Sequence, residues 1–114
     1  MDLKEFLKKT FISKDDFFVR PRIHCNSGFT MSVQGSTGHY CKPRITANAY
    51  DEVEVGFPSE ANSKLMPYAD KPTIPLDTVY AYVPVSVVQE VIDDNGGIDL
   101  VKTFAQKNKP LNYK

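Results

Sequence analysis

Polar and apolar positions alternate with a period of two through most of the chain, and helical spacing takes over only near its two ends. From Phe17 to Cys25, the residues Phe17, Val19, Pro21, Ile23 and Cys25 fall on one side and Phe18, Arg20, Arg22 and His24 on the other. This predicts a strand, at an edge or bulged at Pro21, because proline donates nothing to a ladder. Asn26-Ser27-Gly28 reads as a hairpin loop, and a return strand follows with Phe29, Met31 and Val33 inward and Thr30, Ser32 and Gln34 outward. A third strand spans Asp51 to Phe57, with Val53, Val55 and Phe57 inward and Glu52 and Glu54 outward. The fourth, Thr78 to Val83, puts Val79, Ala81 and Val83 on one face and Tyr80 and Tyr82 on the other.

Helical spacing appears first at Leu3 to Lys9, where Leu3, Phe6 and Leu7 share a face behind a capping Asp2. Ser13 to Asp16 is turn chemistry. Pro84 suits the first turn of a helix running from Val85 to about Asp94, burying Val87, Val88, Val91 and Ile92. Asn95-Gly96-Gly97 supplies a left-handed stop, and Ile98 to Lys107 forms one more helix. Between them, Ser59 to Leu76 carries three prolines and reads as a long loop with one helical turn near Ser63 to Met66. Ile45 to Asn48 fits neither period. The expected fold is α+β, an antiparallel sheet of about four strands with helices packed on one face and the other face open.

That open face changes the picture. It collects Arg20, Arg22, His24, Thr30, Ser32, Gln34, Glu52, Glu54, Tyr80 and Tyr82. Solvent alone is satisfied by lysine, glutamate and threonine. Paired arginines offer bidentate forks to an anion, and tyrosines offer flat rings for stacking. The plain alternative is a solvated face with arginine–glutamate cross-strand pairs.

Charge sharpens the contrast. Phe17 to Tyr50 contains no Asp or Glu, although the 114-residue chain has 14 of them; about four would be expected at average density. Residues 1–44 hold eight Lys/Arg against four Asp/Glu, residues 45–100 two against ten, and residues 101–114 four against none. A general nucleic-acid binder carries a broad basic face, whereas the sequence isoelectric point is about 6.7. Duplex-DNA binding is therefore not expected; one local basic site suits a small anionic ligand or a partner protein.

The length fits one domain over residues 1–114. No apolar run approaches the roughly 18 residues of a membrane span. The N-terminus lacks a signal-peptide core, so the expected location is the cytoplasm, with both cysteines reduced.

Candidate chemistry is concentrated in the acid-free stretch. The loop Gly35-Ser36-Thr37-Gly38 could wrap an anion with backbone N–H groups, with His39, Tyr40, Lys42 and Arg44 behind it, although it matches no nucleotide-binding fingerprint. His24, Cys25, His39 and Cys41 are metal-ligand types, but adjacent strand residues point apart and no Cys-x-x-Cys pair exists, so no metal or cofactor is assigned. The same histidines and cysteines could serve acid–base or nucleophilic chemistry. No spacing fixes such a geometry, and no catalytic residue is assigned.

Phe17 to Asn26, Gly28 to Gln34 and Gly38 to Cys41, continued by Val53 to Glu60 and Asp77 to Val85, resemble short uncharacterised proteins of phages and integrative mobile elements of Gram-positive bacteria. This genetic setting implies an anti-defence role inside the bacterial host cell. The expected function is non-catalytic sequestration of a nucleotide-type immune signal. Arg20, Arg22 and Arg44 would pair with phosphate, Tyr40, Tyr80 or Tyr82 would stack on a base, and His24, Ser32, Gln34 and His39 would complete the site. The alternatives are an anti-CRISPR-like inhibitor that binds a bacterial defence protein, or a small phosphodiesterase. Such binders are commonly homo-oligomers.

Overall fold

Asp2 opens the first helix, α1 (Leu3–Lys9), as its position predicts: its side chain accepts from the Glu5 N–H at 2.8 Å, and Glu5 reaches back to complete a capping box. Leu3, Phe6 and Leu7 lie on the buried side. The structure is a computed structural model that describes residues 1–11 and 19–105. The expected turn at Ser13 to Asp16, the residues Phe17 and Phe18, and the end of the expected last helix lie outside the described residues.

Four strands, β1 (Ile23–His24), β2 (Thr30–Gln34), β3 (Glu52–Gly56) and β4 (Val79–Pro84), pair antiparallel in the order β1-β2-β3-β4. Ile23 pairs with Met31, Val33 with Val55 and Val53 with Val83, so these apolar side chains share one face. That face joins α1 and α2 (Val85–Asp94) in one buried cluster with Val85, Val88, Val91 and Ile92. The Leu3 N–H donates to Gln89 Oε1 at 2.7 Å, tying the start of α1 to α2. The fold is thus the α+β arrangement that the periodicity predicts.

Three differences have physical causes. The first strand is short: only Ile23 and His24 form ladder pairs with β2. Above Pro21 the ladder gives way to a side chain, since Gln34 Oε1 accepts from the Arg20 N–H and Gln34 Nε2 donates to the Arg20 carbonyl, both at 2.9 Å. The Gln34 carboxamide thereby does what a partner backbone would do.

The second difference is the phase of β4. Val53 pairs with Val83 but Val55 pairs with Tyr80, so Ala81 and Tyr82 together oppose the single residue Glu54. This is a β-bulge. Before it, Tyr80 faces the core and Val79 the polar side, the reverse of simple alternation; after it, Val83 returns to the core. Tyr80 is completely buried and its hydroxyl donates to the Pro75 carbonyl at 2.7 Å. Tyr80 therefore does not share a face with Tyr82.

The third concerns element ends. Pro84 is the N-cap of α2 rather than its first turn; Val85 is buried as well, and Val87 packs partly buried against the core. Gly96 and Gly97, at φ +82° and +86°, stop α2 as predicted. The Asn26 and Ser27 amides donate to Gly97 and Asn95 carbonyls, docking the β1–β2 hairpin loop on that stop. Asp99 caps α3 (Leu100–Phe104), which starts two residues after the expected Ile98. In the long loop the Met66 N–H donates to the Asn62 carbonyl at 3.0 Å, the helical turn expected near Ser63 to Met66, and a 3₁₀ turn at Met66–Tyr68 continues it. No helix among the described residues is long and apolar enough to cross a membrane.

Candidate ligand site on the polar face of the sheet

The polar face carries a concave pocket of about 610 Å³. Its floor is made of small residues: Ser32 on β2 pairs directly with Gly56 on β3. A Cβ built on Gly56 would meet Ser32 and Val79 only at ordinary contact distance, so the space above the glycine belongs to the pocket. Arg22 forms one wall. Its Nε donates to Thr30 Oγ1 at 3.0 Å and its Nη2 to the carbonyls of Thr30 and Phe57, which fix the guanidinium plane beside the floor. Gly38, His39, Glu54, Phe57, Leu76 and Asp77 also line the pocket.

His39 is held from behind. Its Nδ1 lies 2.6 Å from Ser36 Oγ, and that oxygen also accepts from the Gly38 N–H at 3.1 Å. Ser36 is buried, so its hydroxyl organises the turn rather than facing solvent. The amides of His39, Tyr40 and Cys41 are bonded too, to the Ser36 carbonyl, Glu54 Oε2 and the His39 carbonyl. Four consecutive N–H groups, Gly38 to Cys41, are therefore spent on protein acceptors, Gly38 being the one that belongs to the Gly35–Gly38 loop. The anion-wrapping arrangement expected of it is not formed by these groups.

Arg20 is the main departure from the expected site. It is 5% exposed, and its guanidinium donates to Thr10 Oγ1, the Gly35 carbonyl, the Leu7 carbonyl and the Ala47 carbonyl. The Tyr50 ring lies 5.7 Å from it. Desolvation lowers the Arg20 pKa below its ordinary value. Arg20 borders the pocket but spends its donors joining the end of α1 to the 35–47 segment. Gln34 is likewise committed, to the Arg20 backbone and to Ser32 Oγ.

A second group lies beside the pocket. Tyr40 and Tyr82 are 44% and 42% exposed, with ring centroids 5.9 Å apart, and the Arg44 guanidinium sits 5.1 Å from the centre of the Tyr40 ring. His24 is in neither group. Its backbone bonds Thr103 and Asp99 at α3. Of the ten residues that the sequence singles out, Arg20, Arg22, Ser32, Gln34 and His39 meet in the pocket, Tyr40, Arg44 and Tyr82 meet beside it, and His24 and Tyr80 stand apart.

Sequence reasoning left Glu54, Gly56, Leu76 and Asp77 out of the site and placed Phe57 on the apolar face with Val53 and Val55; the strand ends at Gly56, and Phe57, at φ +50°, lines the pocket instead. Alternation already put Glu54 on this face, and a glycine between strand residues was a readable sign of an open floor. Leu76 and Asp77 come from the irregular loop and had no signal.

Nucleophilic chemistry finds little support. Burial raises both thiols, Cys25 to about 11, and Cys41 Sγ contacts the Ser36 and Pro43 carbonyls, each at 3.3 Å. Among the described residues, no three His, Cys, Asp or Glu side chains converge as a metal ion requires. The chain matches no protein-family model, curated protein or solved structure.

Proposed function

We propose that the chain is a non-catalytic binding protein that sequesters a nucleotide-type anionic small molecule, in the anti-defence role implied by its resemblance to proteins of phages and mobile elements. The observation that carries this reading is the pocket of about 610 Å³, in which Arg22, His39 and Ser32 converge over a glycine floor. Its size falls within the roughly 300–1,000 Å³ of small-molecule clefts. Its lining also mixes signs: Arg22 and His39 suit phosphate oxygens, while Glu54 and Asp77 suit hydroxyl or amino donors. A ligand that carries both, as a nucleotide does, fits such a lining better than a bare anion.

The test is a thermal-shift panel of cyclic di- and trinucleotides, cyclic ADP-ribose isomers and mononucleotides. Saturation at 100 times the dissociation constant stabilises by about 2.7 kcal/mol, several degrees for a chain of this length. Gly56→Val is the informative variant, because its side chain enters the pocket from an unstrained strand position. Loss of the shift in Gly56→Val and in Arg22→Ala supports sequestration. A flat panel with folded protein rejects it and favours docking on a defence protein.

A further inference from the structure

Tyr82 sits in the left-handed region at φ +52°, a conformation that glycine adopts freely and tyrosine does not. Its position is the bulge of β4, opposite Glu54. Strain of this kind persists where surrounding contacts hold it, and here the Tyr82 N–H donates to the Tyr40 carbonyl at 3.1 Å. The result is an aromatic side chain aimed away from the core and left 42% exposed beside a second exposed ring. A glycine would make the same bulge without strain, and an aromatic whose role was packing would be buried. Among the described residues, the other non-glycine with positive φ is Phe57, at +50°, which lines the pocket.

The two rings adjoin that pocket through shared residues. Tyr40 follows His39, which lines the pocket, and its N–H is bonded to Glu54 Oε2 at 2.8 Å. Glu54 in turn lines the pocket and faces Tyr82 across the bulge. The two rings are tilted 48° to each other and the Arg44 guanidinium carbon lies over the Tyr40 ring, so a base stacked on Tyr82 has Tyr40 and Arg44 at its edge. Tyrosine faces with a neighbouring arginine are what flat heteroaromatic bases stack on.

We propose that Tyr40 and Tyr82 form a stacking platform for the base of a nucleotide whose phosphate lies in the Arg22–His39 pocket. This deepens the proposed function and rests on it. It restricts the ligand class to phosphates that carry a nucleobase, and the strained backbone at Tyr82 is retained for the ring it presents.

The experiment compares cyclic di-AMP, AMP and ribose 5-phosphate by calorimetry on the wild type, Tyr82→Gly and Gly56→Val, each checked for a cooperative melt. The expected result is binding of at least one nucleotide about tenfold or more tighter than ribose 5-phosphate, in line with the strength of one stacked base. Tyr82→Gly should erase that advantage and leave ribose 5-phosphate unchanged, while Gly56→Val should weaken all three. Equal binding of base-bearing and base-free probes, or indifference to Tyr82→Gly, overturns the platform and leaves the pocket standing. Absence of binding by every probe overturns both. Should Tyr82→Gly melt non-cooperatively, Tyr82→Leu keeps the side chain's bulk and removes the flat ring, and the same comparison decides.

Discussion

Arg20 illustrates how a residue type that suggests ligand binding can serve the scaffold instead. Its guanidinium bonds reach residues 10 to 27 positions away and end on buried acceptors at Leu7, Thr10 and Gly35 and a half-buried one at Ala47. Arg20→Ala should cost at least about 3 kcal/mol, because several acceptors would lose their donors inside the protein. Urea unfolding measures this, and ribose 5-phosphate binding by the folded fraction should persist. Glycines in one loop give a second contrast. A Cβ on Gly35 would lie 2.6 Å from the Tyr50 ring, whereas one on Gly38 meets nothing closer than 3.8 Å. The Tyr50 ring cannot yield easily, as its hydroxyl is tied to Ile45 and Ala47. Gly35→Ala should therefore destabilise by about 2 kcal/mol and Gly38→Ala by less than about 0.5 kcal/mol.

At the scale of elements, the unusual join is between β2 and the segment before β1. Gln34 stands in for a ladder partner of Arg20, and it is 5% exposed. Gln34→Leu keeps the bulk but leaves that backbone N–H and carbonyl without their partner, at a cost of about 2–3 kcal/mol. Hydrogen exchange should locate the damage, with the Arg20 amide losing protection before the amides at the centre of β3. Helix α1, the β1–β2 hairpin, the bodies of β2 and β3, and α2 with its glycine stop were legible, since each rests on neighbours within a few residues. The phase of β4 was not. Val-Tyr-Ala-Tyr-Val alternates perfectly, and only pairing with β3 decides that Tyr80 and Val83 both face inward. The candidate site was half legible for the same reason. The alternation put Arg22, Ser32 and Glu54 on one face and the Gly-Ser loop pointed to Gly38 and His39, but Leu76 and Asp77 came from an irregular loop with no local pattern.

For the whole molecule, the buried acidic groups set an alkaline limit. Desolvation in the core raises Cys25 from its ordinary 9.0 to about 11. An acid raised on folding favours the neutral form in the native state. Its contribution is complete below the unfolded pKa and is lost as pH rises towards the folded value. Burial also raises Cys41, Tyr50 and Tyr80, with the same sign. The melting temperature should thus fall between about pH 9 and pH 11, and Cys25→Val should flatten part of that fall. A profile unchanged by the substitution would show that Cys25 is not among the groups responsible.

The sequence by itself determined the α+β class, the Asp2-capped first helix and the glycine stop of α2, the apolar faces of β2 and β3, and an acid-free stretch rich in anion-binding residue types. These follow from periodicity and local backbone chemistry, which act over a few residues. Tertiary structure decided which arginine is buried and which lines a pocket, which tyrosine enters the core and which is held out, and where the loops close the site. Desolvation of Arg20 and the bulge opposite Glu54 depend on groups brought together from distant parts of the chain. The energy of such meetings is not written in the spacing of any one segment.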